Sequence, residues 1–227
     1  MQSVPPLVPR RKNIALRSLG RVFPGARYTT GQIDPYTNWW STQNQGAVKR
    51  RGPMLIAIGD SISIGIGASH PSKSLIGKVG QALSERDGEE WRIVNLAIAG
   101  ARIDDGLNRQ LPIALELMPS DLVICCIGTN DIVWTPAVAS VRAGLRELSD
   151  ALPPNTIFGP VAGASGRARL SNRALRSAAQ ENGQVVADIW SFDGPARERM
   201  APDRFHPNDL GYELMAKTVL DALEGRT

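Results

Sequence analysis

The strongest constraint in this sequence is the run Met54-Leu55-Ile56-Ala57-Ile58, which stops abruptly at Gly59-Asp60-Ser61. A short, unbroken apolar run rich in branched side chains reads as a strand buried on both faces of a parallel sheet. The glycines around its end permit a tight turn, so the Ser61 hydroxyl stands at the carboxyl end of the strand. In open α/β sheets that edge is where ligands bind.

The pattern recurs downstream. Residues 54–59, 92–97, 121–128, 156–161 and 184–189 read as strands, and 73–86, 104–118, 136–152, 167–182 and 209–223 read as helices. Leu145, Leu148 and Leu152 repeat at helical spacing, as do Leu175, Ala178, Ala179 and Asn182. Strands alternating with helices imply right-handed crossovers and a parallel sheet covered on both faces. The expected fold class is α/β, a three-layer α/β/α sandwich whose five-stranded parallel sheet has the flavodoxin-like order 2-1-3-4-5.

The 227 residues give room for one well-buried domain with an appendage. No stretch approaches the roughly 18 to 20 apolar residues of a membrane helix, so no integral membrane segment is expected. The two cysteines are the neighbours Cys125 and Cys126. On a strand they point to opposite faces and cannot bridge each other, so they read as small core residues.

Charge divides the chain. Residues 1–52 hold nine Lys/Arg against the single acid Asp34, or +8, which leaves the remainder at −4 within the net +4. The high pI therefore belongs to the leading segment, and the body loses the main support for binding nucleic acid. Arg10-Arg11 lacks the other features of a twin-arginine signal, and Arg17 and Arg21 interrupt the apolar core a secretory signal needs, so the expected location is cytoplasmic. Asp34-Pro35 reads as a helix start. A short aromatic helix is expected near 35–46, with Tyr36, Trp39, Trp40 and Gln43 at helical spacing. Either it lays its aromatics on the body or it covers the active site. Lys49-Arg50-Arg51-Gly52-Pro53 then divides a basic extension, 1–52, from the main domain, 53–227.

Four segments fall on one edge of the expected sheet: Gly59-Asp60-Ser61, Ala97-Ile98-Ala99-Gly100, Gly128-Thr129-Asn130-Asp131 and Asp203-Arg204-Phe205-His206. A nucleophilic serine needs a base for its proton and a group to fix that base. Of the two histidines, His70 has no acid nearby and reads as a loop residue. His206 has Asp203 three residues earlier, so one turn could hold both. A developing oxyanion needs donors aimed at it, which the Ser61 N–H, the Gly100 N–H and the Asn130 amide could supply. Taken singly, Gly100 reads as well as a turn and Asn130 as a helix cap. Asp60 reads as a tie for the turn.

Together these blocks resemble the SGNH, or GDSL-like, hydrolase family, matching at Ser61, Gly100, Asn130 and His206 across residues 54–211. Ile62 stands where the family has leucine. The segment from Asp34 through the tryptophans is similar to extensions in actinobacterial members. The resemblance implies a Ser61–His206–Asp203 triad, an oxyanion hole of Ser61, Gly100 and Asn130, a small-molecule ester substrate, and neither metal nor cofactor.

Ile64, Ile132, Trp134 and Phe205 are candidates for an apolar acyl pocket, although each could equally be core. The expected reaction is hydrolysis of carboxylic esters with short to medium acyl chains. Sugar deacetylation and cleavage of a lysophospholipid or thioester are alternatives within the family. An alternative of another class is a non-catalytic flavodoxin-like binding domain. Gly65-Ile66-Gly67, however, lacks both the third glycine of a dinucleotide fingerprint and the Gly-Lys-Ser/Thr of a P-loop.

Overall fold

The computed structural model describes residues 4–5, 24–134, 137–191 and 196–225. Five strands form one all-parallel sheet in the order β2-β1-β3-β4-β5: β1 (Met54–Gly59), β2 (Arg92–Asn95), β3 (Leu122–Cys126), β4 (Thr156–Phe158) and β5 (Val185–Val186). This is the expected order 2-1-3-4-5. The sheet is centred on β1 and β3, whose residues are all buried.

Strand alternation sorts β1 into two cores. Leu55 and Ala57 face a layer built by α1 (Pro24–Ala47), α3 (Leu75–Asp87) and α9 (Asp209–Glu224), through Trp40, Leu75, Val79, Tyr212 and Met215. Ile56 and Ile58 face the opposite layer, where α7 (Val138–Ala151) and α8 (Gly166–Glu181) bring Leu145, Leu148 and Leu175. Each large aliphatic side chain buried this way contributes about 1.5–3 kcal/mol relative to exposure. Cys125 and Cys126 fall in opposite cores, both free. Burial drives both thiols up, that of Cys126 to about 12.

Local chemistry sets the helix ends. Ser74 Oγ accepts the Gly77 N–H at the start of α3, and Asn208 Oδ1 accepts the Gly211 N–H at the start of α9. Such a cap satisfies an orphan donor and is typically worth ~1 kcal/mol.

Three expectations need correction. The stretch 104–118 is not one helix: α4 (Ile103–Asp105) and α5 (Leu111–Glu116) flank a π-helical turn, Gly106–Gln110, where the Leu111 N–H reaches back to Gly106 O. Pro112 has no N–H with which to continue a regular ladder. The last strand shrinks from 184–189 to Val185–Val186 at the sheet edge. The aromatic helix begins at Pro24 rather than at Asp34, and Pro35 lies inside it. Tertiary hydrogen bonds from Gln32, Tyr36, Trp40 and Asn44 hold the helix on both sides of the proline. Arg10, Arg11, Lys12, Arg17 and Arg21 lie outside the described residues. Among those described, no helix is long and apolar enough to cross a membrane.

Candidate active site

At the carboxyl end of β1 the chain turns directly into α2, Ser61–Ile64. Asp60 caps this short helix: its Oδ1 accepts the Ile62 N–H at 3.0 Å. Gly65, with φ 93°, ends it and donates to Ser61 O and Ile62 O. Behind the turn, Gln110 clamps the last residue of β1, accepting the Gly59 N–H at 2.8 Å and donating to Gly59 O at 2.9 Å. Gln110 is fully buried and sits on the π turn, so the irregular helix has a use: it aims an amide at the strand end. Sequence reading missed it because nothing in a glutamine's neighbours marks the strand it will pair with.

The second half of the site comes from the loop before α9. Arg204 takes a left-handed φ of 56°, a conformation that costs an ordinary side chain about 1–2 kcal/mol. The turn it makes lets Asp203 Oδ1 accept the N–H groups of both Phe205 and His206, each at 3.0 Å. Asp203 Oδ2 lies 2.6 Å from His206 Nδ1, and His206 Nε2 lies 3.0 Å from Ser61 Oγ. The three side chains form one hydrogen-bonded line. Burial works against the Asp203 carboxylate, but the His206 hydrogen bond and charge and the two N–H groups outweigh it, holding its pKa at about 2.

The third part comes from the ends of β2 and β3. Asn130, in α6 (Thr129–Trp134), donates through Nδ2 to Ala101 O at 2.9 Å and to Asp60 Oδ2 at 3.2 Å. Gly100 has φ 73°, and a Cβ there would meet nothing within 4 Å, so conformation rather than crowding calls for glycine. Neither the Ser61 nor the Gly100 N–H has an acceptor among the described residues. Asp60 is buried, and desolvation lifts its pKa to about 6 against the opposing pull of the Ile62 N–H and His206.

A cleft lies over these groups, about 270 Å³ counting the space where it opens to solvent, lined by Asp60, Ser61, Ile62, Thr129, Asn130, Ala162, Trp190 and Phe205. Of the four pocket candidates only Phe205 borders it, 48% exposed and edge-on to His206. Ile64 is a correction: at 1% exposure it is core, part of the same buried cluster as Leu55, Leu75 and Tyr212. Ile132 packs against the opposite core, and Trp134, 51% exposed, stands outside the lining. Thr129, Ala162 and Trp190 were missed. Trp190 follows the fifth apolar run and donates to Pro160 O at 2.8 Å, so position after a strand was the one signal available.

A 2-1-3-4-5 parallel sheet carrying a serine, a histidine and an aspartate in line at its carboxyl edge defines a class, the α/β/α serine hydrolases. Within that class the chain belongs to the GDSL-like lipase/acylhydrolase family, whose sequence profile matches residues 57–214. The lipase/acylhydrolase from Enterococcus faecalis has the same fold, with 21% identity and a TM-score of 0.62 over 77% of this chain and 97% of that one. So does the family 3 carbohydrate esterase from Clostridium thermocellum, with 16% identity and a TM-score of 0.64 over 77% of this chain and 98% of that one. YpmR of Bacillus subtilis (strain 168), itself uncharacterized, is 22% identical over 211 residues, covering 75% of this chain and 81% of its own.

Proposed function

We propose that this chain hydrolyses carboxylic esters with short to medium acyl chains through an acyl-enzyme on Ser61. The observation that carries the reading is the line from Asp203 Oδ2 through His206 to Ser61 Oγ, with separations of 2.6 and 3.0 Å. Ser61 Oγ attacks the ester carbonyl while His206 Nε2 takes its proton. Asp203 holds the imidazole in the tautomer whose Nε2 is free to accept, and stabilises the imidazolium that follows. The tetrahedral oxyanion rests on the Ser61 and Gly100 N–H groups and on the Asn130 amide. His206 then returns its proton to the departing alcohol. In the second half, water replaces the alcohol: His206 deprotonates it, it attacks the acyl carbonyl, and the acid leaves as Ser61 regains its proton.

The small, open cleft and its aromatic border of Phe205 and Trp190 favour a short acyl group over a long chain that would need a deep tunnel. The decisive experiment compares wild type with Ser61→Ala on p-nitrophenyl acetate, butyrate and palmitate, and on a fluorophosphonate probe. Acetate and butyrate are expected to turn over fastest, with the probe on Ser61 alone. Equal hydrolysis by Ser61→Ala would overturn the reading. Including acetylated sugars, lysophospholipids and acyl thioesters in the panel identifies the natural leaving group.

A further inference from the structure

Helix α1 ends at Ala47, and the family match begins only at residue 57. Its polar contacts nevertheless converge on the active-site segment. Gln32, Tyr36, Trp40 and Asn44 recur every fourth residue, which places them in one row along the helix. Gln32 Nε2 and Tyr36 Oη both donate to Ala68 O, at 2.9 and 2.7 Å, and Gln32 Oε1 accepts the Gly67 N–H at 2.8 Å. Trp40 Nε1 donates to Ile64 O at 2.9 Å. Asn44 exchanges two bonds with the Asn95 backbone, at 2.8 and 2.9 Å, and Asn95 Nδ2 donates to Ser63 O at 2.8 Å.

The segment held in this way joins the two halves of the site. Ile64 is the last residue of the helix that Ser61 begins, so its carbonyl is one that no further turn can satisfy. Gly67 lies directly against the base: a Cβ there would stand 2.9 Å from His206 Cβ and would collide with Pro207 O. At the start of α1 a Cβ on Gly25 would collide with Pro202 O and come within 2.7 Å of Asp203 N. One helix therefore abuts the nucleophile turn, the backbone against which the histidine rests, and the loop of the aspartate.

We propose that α1 is a brace whose polar row sets the Ser61–His206 distance. Gln32, Tyr36, Trp40 and Asn44 are positioning residues, and none of them lines the cleft. Their partners are backbone groups of residues 63–68, directly or through Asn95. Losing Trp40 or Gln32 leaves the Ile64 carbonyl or the Gly67 N–H unpaired, and losing both Gln32 and Tyr36 strips Ala68 O of its two donors, which the segment relieves by shifting. Because Gly67 touches His206, that shift is transmitted to the base, and a misplacement of about 1 Å can cost on the order of 10²-fold in rate. A helix that merely covered the core would affect stability and leave the chemical step alone.

The proposal rests on Ser61 being the nucleophile, and the experiment separates the two claims. Tyr36→Phe removes only a hydroxyl, and Gln32→Met keeps the side-chain length while removing its bonds to Ala68 O, to the Gly67 N–H and to Tyr36 Oη. The double variant is expected to lower kcat by tenfold or more with KM within about twofold, and to slow fluorophosphonate labelling of Ser61 in proportion. Gln32→Glu, which retains the acceptor for the Gly67 N–H, is expected to recover part of the rate in the Tyr36→Phe background. If the double variant unfolds, Tyr36→Phe alone gives the same readout at smaller amplitude. Folded variants with wild-type kcat and labelling rate, whatever their melting temperature, overturn the brace. Should wild type itself leave the probe unreacted, or Ser61→Ala react as wild type does, the nucleophile assignment fails and the brace fails with it.

Discussion

The Asn130 amide donates to the buried Asp60 carboxylate at 3.2 Å while its second hydrogen goes to Ala101 O at 2.9 Å. Both donors are occupied, and the longer bond runs to the acid that caps the helix begun by Ser61. In the proposed mechanism an oxyanion above Ser61 would compete with Asp60 for that hydrogen. Asn130→Ala is expected to lower kcat by on the order of 10²–10³ with little change in KM. Steady-state kinetics on p-nitrophenyl butyrate checks this, and a KM effect alone would assign Asn130 to substrate binding.

Asp203→Asn keeps the shape of the turn but presents an amide to His206 Nδ1, favouring the wrong tautomer. A loss on the order of 10³–10⁴ in kcat is expected, together with a lower melting temperature at neutral pH, where the carboxylate's contribution to stability is lost. Single-turnover measurement of acylation isolates the step. A loss below tenfold would show that something other than Asp203 orients the imidazole.

The two carboxylates of the site give opposite pH dependences of stability. Asp203, held at about 2, adds stability above the ordinary carboxylate pKa near 4 that disappears as the pH falls toward 2. Asp60, lifted to about 6, adds stability below pH 4 that is lost as the pH rises through 6. Their combined contribution peaks near pH 4. Urea titrations from pH 2 to 7 should show Asp60→Asn flattening the region between 4 and 6, and Asp203→Asn flattening the region below 4.

Gly67→Ala combines a φ of 99° with a Cβ that collides with Pro207 O and presses on His206. Strain and overpacking together should cost roughly 2–4 kcal/mol, and activity should fall further than the folded fraction does. Thermal melts alongside active-site titration distinguish the two losses. Wild-type stability would mean that the 206–208 turn yields easily.

Cys125 and Cys126 are buried, and burial raises both thiol pKa values. Neither is expected to react with Ellman's reagent at pH 8 in the native protein, and both should react in guanidinium. Fast native labelling would mean that the β3 core opens readily.

Sequence by itself determined the sheet. Apolar runs of strand length, separated by stretches of helical period, carry their burial pattern in consecutive residues, and five βα units suggested the flavodoxin-like order 2-1-3-4-5 that the sheet has. The pairing of Asp203 with His206 was legible for the same reason, since three residues of one turn hold them together. Ser61, Gly100 and Asn130 were legible as turn residues following strands, and their motifs pointed to the family that the profile match then established. Tertiary structure decided what depends on residues distant along the chain. Ile64, three residues from Ser61, turned out to be core, while Trp190 and Ala162 arrived at the cleft from the far side of the sheet. Gln110 clamps Gly59 across 51 residues, and four side chains of α1, which starts well before its apparent cap, find partners on the body. A hydrogen bond of that kind is set by where two backbones pass each other, and local sequence holds no record of it. The run that ends in Gly59-Asp60-Ser61 thus announces a strand and its turn, and the packing around it brings His206 Nε2 to 3.0 Å from the serine.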